Sequence, residues 1–288
     1  MQIHPIFETN ASEDVKPIYE AIKKSLEVQR LPLFFSYMGA FPEYLNYIAN
    51  QLTENLQNYE FKLLTEHIGN EIIDLIKPNL LPGEDVRDWF SRYGSSPSFY
   101  YFLQDTDSIF RTNVKLAFIF VALREAVKGW AIAAKKLPGQ ANTPKKKTSE
   151  IVKQDTFIFQ DVEEIPQIVM PRSDKKSEHI VTTGSSTQLA MRESVAIEQD
   201  LLPRYLQLCK IDFYEHMKTA PFWELRIGVE KFILNALPLM PHLVFSPINV
   251  VIDLTKKYDT FPDLLYLLSE HFPTYAVQRM MFSGYMHN

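Results

Sequence analysis

The most reactive side chains of the chain stand close together in "CKIDFYEH". Cys209, Asp212 and His216 occupy i, i+3 and i+7, a spacing that an α-helix turns onto one face. A thiol, a carboxylate and an imidazole placed so could form a His-activated nucleophile or two-thirds of a metal site. The plainer reading makes Cys209 a small buried hydrophobe and His216 an ordinary helix-end histidine favoured by the dipole. It is the default for a lone cysteine, a residue type mostly found inside proteins. Arg204 and Arg226 could each grip a carboxylate through two parallel N–H donors, with surface ion pairing as the competing use.

Other chemistry is excluded by missing motifs. Glu66-His67 and Glu215-His216 are adjacent pairs and no His-Glu-x-x-His exists, so no zinc hydrolase is supported. The chain has no Walker loop, no Gly-x-Gly-x-x-Gly and no Gly-x-Ser-x-Gly, and its 9 glycines are few for a phosphate cradle. No cofactor and no metal is expected.

A second feature is "SRYGSSPSFYYFLQD", where the turn at Tyr93 to Pro97 runs straight into Phe99, Tyr100, Tyr101 and Phe102. It reads either as the mouth of a small-molecule pocket or as a helix start with an apolar first turn. Aromatic residues, 13% of the chain, gather there, at Phe34-Phe35-Tyr37 and at Phe222-Trp223. Core filling explains most of them, since aromatic rings carry large buried area. The functional alternative is an aromatic-lined pocket for a small apolar or acidic ligand.

The elements that must position these groups are helical. Tyr44, Ile48, Leu52 and Leu56 recur four apart, and Leu64, Ile68, Ile72 and Leu75/Ile76 form a second stripe that stops at Pro78. Asp107 or Ser108 is expected to cap a helix carrying Phe118, Val121, Ala122 and Trp130 to about Ala134. After it, "KKLPGQANTPKKKTSEIVKQD" and "PRSDKKSEHIVTTGSSTQ" read as solvated linker, too weakly apolar to offset the entropy of ordering. Between them, "DTFIFQDVEEIPQIVMP" offers short β-like runs. Helical pattern resumes near Glu193. The halves are faintly alike: Pro17 and Tyr19 match Pro203 and Tyr205, and with a two-residue shift Phe34 and Phe35 face Phe222 and Trp223. The expected organisation is all-α, with helical units at 1–134 and 193–288 packed about a pseudo-two-fold axis and joined by a linker at 135–192. A ligand site is expected between the units.

Composition narrows the partners and the compartment. A formal net charge of −5, spread along the chain, lacks the basic face of a nucleic-acid binder. The lone Cys209 excludes an internal disulfide framework and fits a reducing compartment. The N-terminus has no signal-peptide pattern. The run "VKLAFIFVALREAVKGWAIAA" is interrupted by Arg124, Glu125 and Lys128, so it reads as a buried helix and not as a membrane span. A soluble cytoplasmic protein with no membrane partner is expected.

Three stretches together resemble the group I 2-haloacid dehalogenases: "IYEAIKKSLEVQRLPLFFSYMGAFPEYL", the Tyr-Gly-x-x-Pro turn of Tyr93 to Pro97, and "HMKTAPFWELRIGVEKFIL". The resemblance implies an all-α fold of two fused pseudo-repeats with the active site between them. It also implies hydrolytic release of halide from a short 2-haloacid, a carboxylate activating water while an amide side chain helps hold it. The position similar to the family's catalytic Asp falls on Phe222, or on Pro221 or Trp223 after a one-residue slip. The position similar to its water-holding Asn falls on Ser96. A phenyl ring accepts no proton, so the family's route lacks its base. Leu33, Phe34, Tyr37 and Trp223 are the transferable apolar wall; Tyr93, Ser96, Phe222 and Arg226 complete the expected substrate-binding set. Asp212 and His216 are the candidates for a relocated base, and the Cys209 helix is similar in spacing to that of alkylhydroperoxidase-D-like proteins, with Asp212 where their second cysteine stands. Two functions remain open: an acid-binding, dehalogenase-like protein with or without hydrolysis, and a non-catalytic scaffold for a partner.

Overall fold

Apolar residues three and four apart turn into helices throughout the computed structural model. It describes residues 3–129 and 203–287, without the side chains of residues 97, 98, 100 and 101. In chain order the helices are α1 (Lys16–Leu26), α2 (Leu33–Met38), α3 (Pro42–Gln57), α4 (Tyr59–Asn79), α5 (Glu84–Tyr93) and α6 (Pro97–Val127). After residue 202 come α7 over 203–217, α8 (Ala220–Ala236), α9 (Ile248–Lys257), α10 (Phe261–Tyr266) and α11 (Phe272–Tyr285). No strand occurs among the described residues. The linker at 135–192, its β-like runs and the resumption near Glu193 lie outside them.

The two stripes read from the sequence are the buried faces of α3 and α4, with Tyr44, Ile48, Leu52 and Leu56 on one and Ile68, Ile72 and Ile76 on the other; Leu64 is half-buried, Leu75 is exposed, and α4 includes Pro78 in its last turn to Asn79. Asn58 caps α4 by accepting the Glu60 N–H at 2.7 Å. α6 departs from expectation. It begins at Ser96, whose hydroxyl accepts the Phe99 N–H at 3.3 Å, and runs unbroken through Asp107 and Ser108. The reason is a buried stripe that starts early, at Phe99, Phe102, Thr106 and Phe110. Asp107 is therefore mid-helix and holds Arg111, one turn on, at 2.8 Å. Farther along, Leu116 through Leu123 are buried all round, the mark of a central core helix. α11 lies along it, with α4 and α8 beside the pair. No helix of the described residues is long and apolar enough to cross a membrane.

Two local devices shape the second half, and the first of them ties it to α3. Side-chain amides of α3 bond the backbone of the extended segment at 242–246. Gln51 takes the Phe245 N–H at 2.9 Å and gives to its carbonyl at 3.3 Å. Asn55 does the same for His242, at 3.1 and 3.2 Å, and Tyr44 meets Ser246 at 3.0 Å. The second device is a π-helical turn at Leu267–His271, between α10 and α11. Pro273 has no N–H and would strike the carbonyl four residues back in a regular helix; the wider turn absorbs that conflict. Phe272, Thr274 and Tyr275 follow directly.

Candidate functional site

α7 is helical across Cys209, Asp212 and His216, as their spacing requires, but their polar atoms go to different partners. Asp212 Oδ2 accepts the Gly83 N–H at 2.7 Å and also the hydroxyl of Tyr285. It thus ties the turn before α5 and the end of α11 to α7. His216 Nε2 meets the Leu81 carbonyl at 3.0 Å. Cys209 is 0% exposed. Burial pushes its thiol up to about 12, opposed by a hydrogen bond with Tyr205 and reinforced by the Asp212 charge. Burial, and then the bond to Asp212, hold the Tyr285 hydroxyl well above the usual phenol range. A thiol so protonated is no nucleophile at neutral pH. No group of three His, Cys, Asp or Glu side chains among the described residues is gathered for a metal ion.

The aromatic run after Ser96 is a helix start. Ser96 serves as the N-cap of α6. Phe99 and Phe102 are buried against Tyr205, with ring centroids at 5.2 and 5.7 Å. Trp89 stacks on Tyr205 at 4.8 Å and on Tyr93 at 5.2 Å. Phe222, 1% exposed, meets Phe213 edge-on at 5.3 Å. Its neighbour Trp223 is 36% exposed and donates its indole N–H to the Met217 carbonyl at 2.8 Å. Ser96 and Phe222 therefore belong to separate aromatic groups.

The residues that converge lie where α2, α6, α8 and α11 meet. Phe34 packs on Phe120 at 4.4 Å, on Phe272 at 5.2 Å and on Tyr275 at 5.5 Å, and Tyr37 closes on Phe272 at 5.8 Å. Leu33, half-buried, opens α2 beside them. One turn past Phe120 on α6 stands Arg124, and next to Phe272 and Tyr275 on α11 stands Thr274. Arg226 of α8 bridges the group: its Nη2 donates to Thr274 Oγ1 at 3.1 Å and pairs with Glu230 at 2.9 Å. Arg124 binds the other oxygen of Glu230, and its Nε donates to Glu125 at 2.8 Å. The network is nearly buried, with the Arg226 side chain 12% exposed, so its members hold one another against desolvation. Burial, then the neighbouring Arg124, makes the Arg226 guanidinium less basic than usual against the pull of Glu230. The Nε–H of Arg226 is buried without a partner among the described residues. Arg204, in contrast, is exposed at the start of α7.

Of the expected binding set, Phe34, Tyr37 and Arg226 share this seam, Leu33 is placed only by its position before Phe34, and Tyr93, Ser96, Phe222 and Trp223 do not reach it through the contacts described. Arg124, Glu230, Thr274 and the rings of Phe120, Phe272 and Tyr275 are additions that sequence reading lacks. Only the Arg226–Glu230 pair had a local signal, its i,i+4 spacing of opposite charge.

No family model matches the chain, and no curated protein matches it. Solved structures do. One, a complex of D-2-haloacid dehalogenase with L-LA, shares 14% identity at a TM-score of 0.65, over 99% of this chain and 95% of that one. Another, a D-2-haloacid dehalogenase mutant with D-2-CPA, shares 12% identity at the same TM-score of 0.65, over 99% and 94%. The chain has a dehalogenase-like, all-helical fold.

Proposed function

We propose that this protein binds a small organic acid at the seam of α2, α6, α8 and α11, and that it does not hydrolyse 2-haloacids by the water-activating route that the sequence resemblance implies. The observation that carries the reading is Arg226: a nearly buried guanidinium, fixed by Glu230 and Thr274, with one donor unpaired among the described residues and Thr274 flanked by the rings of Phe272 and Tyr275. Binding sites for small molecules are built this way, mostly apolar with few placed polar groups. A carboxylate taking the Arg226 Nε–H would also relieve the repulsion between Arg226 and Arg124. Because Glu230 and Glu125 already balance the two arginines, affinity comes from aligned donors and ring contact more than from net charge. Hydrolysis has no base here, since Phe222 is apolar, Ser96 caps a helix, and Asp212 and His216 hold backbone and Tyr285.

The proposal includes the chain organisation: helical units at 1–134 and 193–288, related by a pseudo-two-fold axis and joined by 135–192, with the acid site between them. Its support is that Leu33, Phe34 and Tyr37 come from one half and Arg226 from the other. Isothermal titration and NMR titration with propionate, 2-chloropropionate, glycolate and lactate test the acid reading. Binding of at least one acid is expected, weakened tenfold or more by Arg226→Gln, with no chloride released from either enantiomer of 2-chloropropionate. Absence of binding by every acid refutes it. A second reading, a partner-binding scaffold, is favoured by the exposed apolar Ile211 and Tyr214 on α7 and Trp223 and Ile227 on α8. Acid binding insensitive to Arg226 would leave that reading the stronger.

A further inference from the structure

Gln278, on α11, is 2% exposed, and neither its amide nitrogen nor its amide oxygen has a hydrogen-bond partner among the described residues. Most buried polar side chains are satisfied, so an amide unpaired at both ends calls for an explanation. Register supplies its surroundings. Gln278 lies one turn beyond Thr274, which holds Arg226, and one turn before Phe282, which packs on Phe213 at 5.2 Å. Phe213 in turn packs on Phe222 at 5.3 Å, and Phe222 stands one turn before Arg226 on α8. Register thereby puts the amide on the face of α11 that carries Thr274 and Phe282, about 6 Å along the axis from Thr274, the residue that holds the Arg226 guanidinium.

We propose that Gln278 is a specificity-determining residue of the acid site, and that the acid is a short hydroxy acid. The assignment rests on the acid-binding reading above and deepens it. An amide offers a donor and an acceptor together, and a hydroxyl answers both: it accepts from Nε2 and donates to Oε1 while the carboxylate takes Arg226 Nε–H. A halogen or a hydrogen in the same place donates nothing and leaves the Gln278 oxygen unpaired. Sites built to hydrogen-bond a hydroxyl reject analogues that lack it far more strongly than apolar pockets reject an extra methylene.

The test compares glycolate and both lactate enantiomers with propionate and both 2-chloropropionate enantiomers, titrated into the full chain by NMR and calorimetry. Wild-type protein is expected to bind one hydroxy acid about tenfold or more tightly than its chloro or unsubstituted counterpart. Gln278→Met, similar in volume and free of unpaired polar atoms, is expected to fold and to bind the hydroxy acid no more tightly than its chloro or unsubstituted counterpart. Gln278→Leu provides the same comparison should Met repack. Equal affinity for hydroxy and chloro acids in the wild type overturns the assignment to Gln278, as does a preference that survives both variants; in either case acid binding itself stands. Failure of all acids to bind overturns both proposals at once, and is recognisable because Arg226→Gln then changes nothing.

Discussion

Replacing Asp212 separates a structural carboxylate from a catalytic one. Its Oδ2 accepts two hydrogen bonds, from Gly83 N–H and from the buried hydroxyl of Tyr285. Hydrogen bonds to a charged acceptor contribute roughly 1.5–3 kcal/mol each, and an orphaned buried hydroxyl costs roughly 1–3 kcal/mol. Asp212→Ala frees the Gly83 N–H toward water but strands Tyr285, so a loss of about 3–4 kcal/mol is expected. Asp212→Asn keeps an acceptor but not the charge, and neutral bonds are about half as strong, giving a loss of about 1–2 kcal/mol. Tyr285→Phe removes one donor and the need for it, and should cost about 1–2 kcal/mol. The double variant Asp212→Ala/Tyr285→Phe then loses about 1–2 kcal/mol less than the sum of the singles. Gly83→Ala is an independent probe, because its new Cβ would lie 2.5 Å from Asp212 Oδ1 and push the carboxylate out of place. Urea unfolding at pH 7, with unchanged slopes, reads all of these. A change below about 1 kcal/mol for Asp212→Ala, or strict additivity with Tyr285→Phe, refutes the structural role. A turnover lost in Asp212→Asn at unchanged stability would restore Asp212 as a base.

Cys209 should resist thiol reagents in the native protein and give an alkaline limit to stability. Its folded pKa near 12 lies above the ordinary 9.0, so its contribution is complete below pH 9 and falls above it, by about 1.4 kcal/mol per pH unit; Cys209→Ala should flatten the drop in urea midpoint between pH 9 and 10. Rapid labelling of the folded chain contradicts this. Gly39→Ala would drive a Cβ into the Tyr19 hydroxyl, which donates to the Ile6 carbonyl at 2.8 Å. A loss of about 2 kcal/mol or more is expected, visible as a fall in Tm of several degrees, and an unchanged Tm would show that Tyr19 moves freely. Phe222→Asp, which places a carboxylate where the resemblance would have one, should lose roughly 4 kcal/mol or more from the missing ring and the buried charge. Halide release by a folded Phe222→Asp protein would show that the site needs only its base.

What was legible in the sequence follows the range of the interactions. The stripes of α3 and α4 are local repeats and are legible apart from the exposed Leu75, as is the buried stretch of α6 from Leu116 to Leu123, which carries no charge. The start of α6 was misplaced because Asp107 and Ser108 resemble caps, and only burial of Phe99 and Phe102 against Tyr205 shows that the helix began earlier. The pairing of Gln51 with Phe245 spans 194 residues and leaves no local trace. The spacing of Cys209, Asp212 and His216 correctly marks a helix, but a shared helical face does not dictate shared partners, and Gly83, Tyr285 and Leu81 claimed the polar atoms instead. The seam was half-legible, through Arg226 and the ring pair Phe34 and Tyr37, because aromatic and charged residues announce themselves by type.

Gln278 announces nothing in the sequence, since a glutamine in a helix is usually a solvated one. Its meaning comes from burial alone. A core whose only task is packing gains by placing Leu or Met there, because each unpaired buried polar atom costs roughly 1–3 kcal/mol. The same holds for the unpaired Nε–H of Arg226 on the facing helix. A pure scaffold leaves both costs without a return, whereas an acid that carries its own hydroxyl removes both on binding. The two orphans, carried by the packed helices α11 and α8 and unlike in chemistry, are for that reason a stronger argument for a ligand than the aromatic wall, which a well-packed core explains equally well.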